Sequence, residues 1–450
     1  MNKRIVSVDF SKKAGKTKPL HALPTGARQK GAALTRDISR EFSEIGVPYV
    51  RLHDVEYPYG SNQFVDIHCI FPDFSKDADS PESYNFAPTD AYIKAIKEAG
   101  ADVIFRLGES TDMFPVTLYT GMPSDIEKWA EICVHIVMHY NEGWADGFKC
   151  KLTHFEIIGG ADDVRVFSSE RSGYFELYRV CSKSLKERFP KIKVGGYGCG
   201  GFYSLNRINA TDAEREYISF LRDFLKYISA KETQAPLDFL SWYCYAASAE
   251  ELTLYAKYSR VILDEYGFKR TRSYAVGLNT SAFHSDDISE SADYVSDLAS
   301  LLIAGGRSEL DLAVISDLPT DKSFGKSFVT SDRDMTGCAV YHTLLMYGSL
   351  YRLGTVYESV GDVRSEMYTL ASSDGKKGRI MICCRSFSGA IELRISGKKA
   401  VGCKVSRIRA RDTGTSRVSV ISADIPLGDT GAVFKADSRA VYLVELDFGE

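Results

Sequence analysis

Residues 152–163 read "LTHFEIIGGADD". A short, mostly apolar run stops at two adjacent glycines and then two adjacent aspartates. That is how a buried barrel strand meets its loop. Working outward, the run is preceded by "SDIEKWAEICVHIVMHYNEG" (124–143), which has helical periodicity, and is followed by a second helical stretch, "GYFELYRVCSKSLKERF" (173–189). The alternation then repeats. "KIKVGGYG" (191–198), "LDFLSWYCY" (237–245), "RSYAVGLN" (272–279) and "LDLAVISDL" (310–318) each follow an amphipathic segment, as do "GVPYVRLH" (46–53) and "ADVIFRLG" (101–108) upstream. With "PLHAL" (19–23) as a first strand, the chain carries the strand and helix arithmetic of a (β/α)₈ barrel, an α/β fold. An open doubly wound sheet is the alternative. It is weakened because no GxGxxG or GxxxxGK[ST] follows any strand.

After about residue 350 the period changes to two. "SEMYTLASSDGKKGRIMICCRSF", "GAIELRISG", "GCKVSRIRAR" and "RAVYLVELDF" predict an all-β sandwich. The N-terminal "RIVSVDFS" alternates in the same way and is expected to join it. The expected division is therefore 1–14 as a strand of the sandwich, 15–350 as the barrel and 351–450 as the sandwich.

Composition excludes several function classes. Hydrophobic residues are 44% and charged residues 26%, with a formal net charge of -4, so nothing predicts a nucleic-acid or anionic-membrane partner. No run of apolar residues is long enough to span a membrane, and the first residues lack the apolar core of a signal peptide. The 10 cysteines are scattered without CxxC spacing. They predict reduced thiols in a cytoplasmic protein, with no disulfide framework. No metal and no cofactor is expected, since neither a ligand cluster nor a phosphate loop is apparent.

In such a barrel the chemistry sits where strands end. Those ends supply Arg51, His53 and Asp54, then Glu109, Asp162, Asp163, Trp242, Tyr243, Tyr245, Asn279 and Asp317. Aromatics, arginine, asparagine and carboxylates together suit sugar binding.

The chain resembles glycoside hydrolase family 39, the β-xylosidase and α-L-iduronidase family. The resemblance rests on "VSVDFSKKAGKTKPLHAL", "YVRLHDVEYPYG", "HYNEGWADGF", "YFELYRVCSKSLKERFPKIKVGG", "PLDFLSW" and "LYRLG", in that order. It implies a barrel with an attached β-sandwich, and retaining hydrolysis by two glutamates at the ends of the fourth and seventh strands. In the family the acid/base lies in a motif like "FEIWNEPD"; here the matching residues are "FEIIGGADD", with Gly159 for asparagine and Gly160 for the glutamate. The nucleophile lies in a motif like "HLNEWN"; here it is "YAVGLN", with Gly277 for the glutamate and Leu278 for tryptophan. Tyr243 replaces a histidine, and "ALPTGA" (22–27) stands where the family has "GVNNGP".

The resemblance thus implies that both catalytic carboxylates are missing. Three readings stay open. The first is a catalytically inactive pseudo-glycosidase that binds a saccharide through Arg51, His53, Gly159, Trp242, Tyr243, Tyr245 and Asn279. The second is an active glycosidase using displaced acids, with Asp162 and Asp163 as substitutes and Asp54, Glu109, Asp286, Asp287 and Asp317 within reach. The third is a structural subunit of an oligomer, assembled with an active paralogue or as a homo-oligomer. Glu156 is expected roughly 13 Å deeper than position 160, at about 3.3 Å per strand residue, and buried inside the barrel.

Overall fold

The computed structural model describes residues 2–30, 35–52, 63–110, 120–280, 292–316, 339–409, 419–423 and 431–449. Strand β1 (Lys3–Lys16) opens the chain, and a small hairpin of β2 (Arg28–Lys30) and β3 (Thr35–Asp37) leads into helix α1 (Ser39–Ile45). The alternating region follows: β4 (Tyr49–Arg51), α2 (Ile67–Ile70), α3 (Ala87–Glu98), β5 (Asp102–Leu107), α4 (Ile126–Asn141), β6 (His154–Gly159), α5 (Arg171–Arg188) and β7 (Lys193–Cys199). It continues through α6 (Asp212–Ser229), β8 (Phe239–Ala246), α7 (Ala249–Glu265), β9 (Arg272–Thr280), α8 (Ala292–Arg307), β10 (Leu312–Ile315) and α9 (Ala339–Tyr351). Local signals set the helix starts. Asp125 accepts the Lys128 N–H at 3.0 Å, and Thr211 with Glu214 forms a reciprocal capping box on α6.

The strands form a parallel seven-stranded sheet in the order β10-β9-β8-β7-β6-β5-β4. The stretch expected as a first strand closes it by two parallel bridges, Ala22 to Val314 on β10 and Leu23 to Val50 on β4. The (β/α)₈ barrel therefore has its eighth stave, compressed to two residues. Alternate residues divide between two cores. Tyr274, Val276, Leu312 and Val314 fill the barrel interior with Ala22, Ile104 and Phe239. Ala275, Leu278, Ala313 and Ile315 face the helices and belong to the main core.

The second unit comprises β11 (Thr355–Val360), β12 (Met367–Ser373), β13 (Lys377–Cys384), β14 (Gly389–Ser396), β15 (Gly402–Arg409), β16 (Ser419–Ala423), β17 (Ala432–Ala436) and β18 (Ala440–Asp447). The expected sandwich is hydrogen-bonded as one mixed nine-stranded sheet, β16-β15-β18-β13-β12-β11-β1-β14-β17, curled around its own apolar core. The reason is β1. It pairs antiparallel with β11 and parallel with β14, and register shifts between Asp9 and Gly15 bend it, so it joins what would otherwise be two sheets. The sheet packs on α8, where Cys383 Sγ donates to Ser296 O and Arg385 pairs with Asp297 at 2.6 Å.

Candidate functional site

Three barrel strands carry irregularities at their C-terminal ends. Register shifts fall between Glu156 and Gly159 on β6, between Tyr197 and Cys199 on β7, and between Ala275 and Gly277 on β9. A bulge re-aims the side chains beyond it. On β6 it includes Ile158 at φ 52°, a backbone conformation β-branched residues rarely adopt. On β9 it leaves Val276 in the interior cluster and sets Gly277 beside Tyr243.

Both glycines make room for a neighbour. A β-carbon on Gly159 would overlap Arg51 Nη2, and it would lie 3.3 Å from Glu156 Oε2. A β-carbon on Gly277 would overlap the ring of Tyr243. The two intruding side chains meet: Arg51 Nη1 donates to Tyr243 Oη at 3.4 Å, with the guanidinium carbon 5.8 Å from the ring centroid. Gly160 points elsewhere. Its φ is +117°, and a β-carbon there would meet Val166 at 3.4 Å.

Arg51 is anchored by Glu156, with Nε donating to Oε2 at 2.6 Å and the two side chains 2% and 0% exposed. Burial opposes the charge on Arg51, but the facing Glu156 carboxylate outweighs it and strengthens the guanidinium's hold on its proton. Glu156 is buried as expected, but its carboxylate is not deep. The bulge and the length of the side chain bring it level with Gly159. Beside it on β5, Arg106 pairs with Asp66 and donates to Ser110 Oγ at 2.9 Å.

Two expected sugar contacts are corrected. Trp242 is fully buried toward the helices, where Nε1 donates to Ser273 Oγ at 2.9 Å and the ring lies 4.9 Å from that of Phe202. Asn279 is also fully buried and spends its amide on structure. Its Nδ2 donates to Ser316 O at 2.8 Å, while Oδ1 accepts from Thr280 N and Tyr294 Oη. Both lost their expected role to inward–outward parity along β8 and β9. Tyr243 and Tyr245 are half-buried. His53, Asp54, Asp286, Asp287 and Asp317 lie outside the described residues.

A second cluster lies off the axis, and sequence reading missed it. Asp66, His68 and Glu109 bring ligand-type atoms within 4.8 Å of one another. Asp66, however, is committed: its carboxylate accepts from Ser110 N at 2.7 Å and from Ser110 Oγ at 2.8 Å, besides pairing with Arg106. His68 Nδ1 is hydrogen-bonded to Glu109 Oε2, and its Nε2 lies 3.3 Å from Cys69 Sγ. Burial works against a charged His68, but these partners overcome it and carry its pKa up to about 10. Burial pushes Glu109 up from its ordinary value, against the pull of His68. His68 and Glu109 form the polar corner of a cavity of about 290 Å³ walled by Phe71, Phe74, Trp129 and Phe167. The available signal was Glu109 itself, placed just past a barrel strand in "RLGES".

Residues 5–282 match the sequence profile of the Glycosyl hydrolases family 39. The chain belongs to this family. A family-39 fold also accounts for the structural likenesses. A crystal structure of a glucosidase from Croceicoccus marinus superposes with a TM-score of 0.76 at 20% identity, covering 100% of both chains. A GH39 β-xylosidase from Caulobacter crescentus gives 0.70 at 15% identity, covering 99% of this chain and 100% of that one. Among curated proteins, the "Beta-xylosidase" of Geobacillus stearothermophilus is 24% identical over 220 residues, 46% of this chain. The match spans only 38% of that relative's length. Among the described residues, no helix is long and apolar enough to cross a membrane.

The two substitute acids of this family-39 chain differ sharply. Asp163 is clamped by Arg165, which donates from its backbone N at 2.9 Å and from Nη2 at 2.6 Å. Partial burial opposes ionisation, but the Arg165 hydrogen bonds hold the carboxyl below its usual range. Asp163 is thus a turn clamp. Asp162 accepts the Gly200 N–H at 2.8 Å, yet burial pushes its pKa up to about 7. A carboxyl raised on folding favours the protonated fold. Its contribution is full below the free value of 3.8 and is lost as pH rises to about 7. Asp162→Asn, neutral throughout, is therefore expected to flatten that slope. Relative to wild type, the variant should gain about 1–2 kcal/mol between pH 4 and pH 8, with partial exposure allowed for. Urea denaturation at the two pH values measures this; parallel losses in both proteins would refute the assignment.

Proposed function

We propose that this family-39 chain is a pseudo-glycosidase that holds a saccharide at the barrel mouth without hydrolysing it. A retaining glycosidase needs two carboxyls about 5–5.5 Å apart, one to attack the anomeric carbon and one to protonate the leaving oxygen. Glycine can do neither. The observation that carries the reading is the replacement chemistry around the two glycine sites. Arg51 occupies the space beside Gly159, Tyr243 occupies the space beside Gly277, and the two contact each other. A site that had merely lost two carboxylates would leave room for them. Here the room at Gly277 is used by a phenol, and the room at Gly159, the position of the family's asparagine, by a cation that Glu156 neutralises. Half-buried Tyr243 and Tyr245 keep aromatic surface available to a sugar ring.

The test joins turnover with binding. Aryl β-xylosides and related aryl glycosides should give no burst and negligible steady-state hydrolysis. A screen of xylosides, glucosides, arabinosides and uronides should raise the thermal midpoint with at least one sugar, and Tyr245→Ala should weaken that shift. Absence of both turnover and any shift would reject saccharide binding and leave the structural-subunit reading. The raised carboxyl of Asp162 favours the displaced-acid alternative, because an acid near neutrality suits proton donation. Rapid hydrolysis abolished by Asp162→Asn would establish that alternative.

A further inference from the structure

A separate constellation off the barrel axis owes nothing to the pseudo-glycosidase reading. His68 and Cys69 sit on the one-turn helix α2, and Glu109 lies just past the end of β5. Glu109 ties the two elements together. One carboxylate oxygen accepts the His68 backbone N–H at 3.2 Å, and the other is bonded to ring Nδ1. The opposite ring nitrogen, Nε2, lies 3.3 Å from Cys69 Sγ. Thiol, imidazole and carboxylate therefore stand in series. We propose that Cys69 is a nucleophilic thiol, paired with the His68 ring as its cationic partner and with Glu109 as the group that orients that ring, forming a covalent modification site for soft carbon electrophiles.

The arrangement has the parts such a site requires: a nucleophile beside a cationic ring that favours its thiolate, and a third group that fixes the ring. The thiolate is the reactive form of cysteine, and a neighbouring imidazole favours it. The series order also argues against a metal centre. The thiol and Glu109 use opposite nitrogens of one ring, and Asp66 is spent on Arg106 and Ser110. Among the described residues, an ion at Nε2 would find Cys69 and His68 as its protein ligands. Asp66 and Arg106 face Glu109 as a mutually neutralising pair, and the nearby Cys133 thiol on α4 is driven upward by burial, which keeps it neutral.

Access distinguishes this thiol as well. Among the described cysteines, only Cys69 and Cys150 are less than fully buried. The aromatic cavity that ends at His68 and Glu109 gives an apolar approach beside the ring. The covalent step balances without an oxidant. Cys69 reacts as the thiolate partner of the His68 imidazolium, and the sulfur pair forms a bond to carbon. With iodoacetamide the C–I bond breaks and iodide leaves with its pair. With an enone, sulfur adds to the β-carbon, and the α-carbon takes the imidazolium proton.

Iodoacetamide labelling of the full chain, followed residue by residue with peptide mass spectrometry, tests the proposal. Cys69 is expected to react about tenfold faster than Cys150, which serves as the internal reference. His68→Gly should lower the Cys69 rate about tenfold, and added imidazole should restore part of the loss, which a merely structural role would not do. Glu109→Gln should lower the rate more mildly. Circular dichroism establishes that each variant is folded. If His68→Gly does not fold, the wild-type ratio and Glu109→Gln decide. A Cys69 rate no greater than that of Cys150 would overturn the proposal, as would a Glu109→Gln rate equal to wild type, or a folded His68→Gly variant indifferent to imidazole.

Discussion

Gly277→Glu is expected to destabilise the protein by about 3 kcal/mol and to add no glycosidase activity. The first atom of any side chain at 277 would overlap the Tyr243 ring. That ring cannot retreat freely, because Arg51 holds its hydroxyl and lies over its face. Overpacking of this kind forces neighbours off their rotamers or shifts the backbone. The clash is specific, so its relief should be too. In a Tyr243→Ala background the same glutamate should be much better tolerated, with a coupling of about 1–3 kcal/mol in a double-mutant cycle. Urea unfolding of the four proteins measures it. Equal stability of Gly277→Glu and wild type would show that the strand adjusts without cost. Adding Gly160→Glu should not help activity, because position 160 faces Val166 and has a φ of +117°. Gly159, whose β-carbon would enter the Arg51–Glu156 pair, is the position that faces the filled site.

Arg51→Met should cost about 3–5 kcal/mol, because it leaves Glu156 charged, buried and without its partner. Glu156→Leu should cost a similar amount by stranding Arg51. The two losses should not add. The double variant removes both charges together and is expected to recover most of the stability, since a buried ion pair and an apolar pair of similar volume are often close in free energy. If either single variant loses less than about 1 kcal/mol, the pair is not the keystone of this layer.

The fold was legible because strand and helix periods alternate cleanly from residue 46 to residue 315. The first strand was legible only as "PLHAL", and its pairing shrinks to Ala22 and Leu23. The partnership of β1 with the C-terminal strands was readable from its own alternation, but its bend, which fuses them into one sheet, was not. At the site, the sequence pointed to the glycines and left open which side chains lie against them. Bulges decide that, and a bulge adds a residue without any local signature. One extra residue reverses inward and outward, which is why Glu156 reaches the level of Gly159 and Val276 shares the interior with Tyr243. Trp242 and Asn279 were misread for a related reason: an aromatic or amide at a strand end looks the same whether it faces a cleft or a helix. His68, Cys69 and Glu109 meet only through the packing of α2 on the β5 end, which no spacing rule encodes.

The position of β1 also sets a timetable for biogenesis. It is made before the barrel strands, yet both of its neighbours, β11 and β14, lie beyond residue 354. At ordinary synthesis rates it waits roughly 20–70 s for them. The barrel strands emerge in order and can pair as they appear, whereas β1 must remain unpaired on a nascent chain until β11 and β14 have been made. Its exposed Ile5 and buried Val6, Val8 and Phe10 make that interval a window in which a holding chaperone has an apolar strand to grip. Emergence of β11 and β14, not emergence of the barrel, is then the event that lets β1 take its place in the sheet.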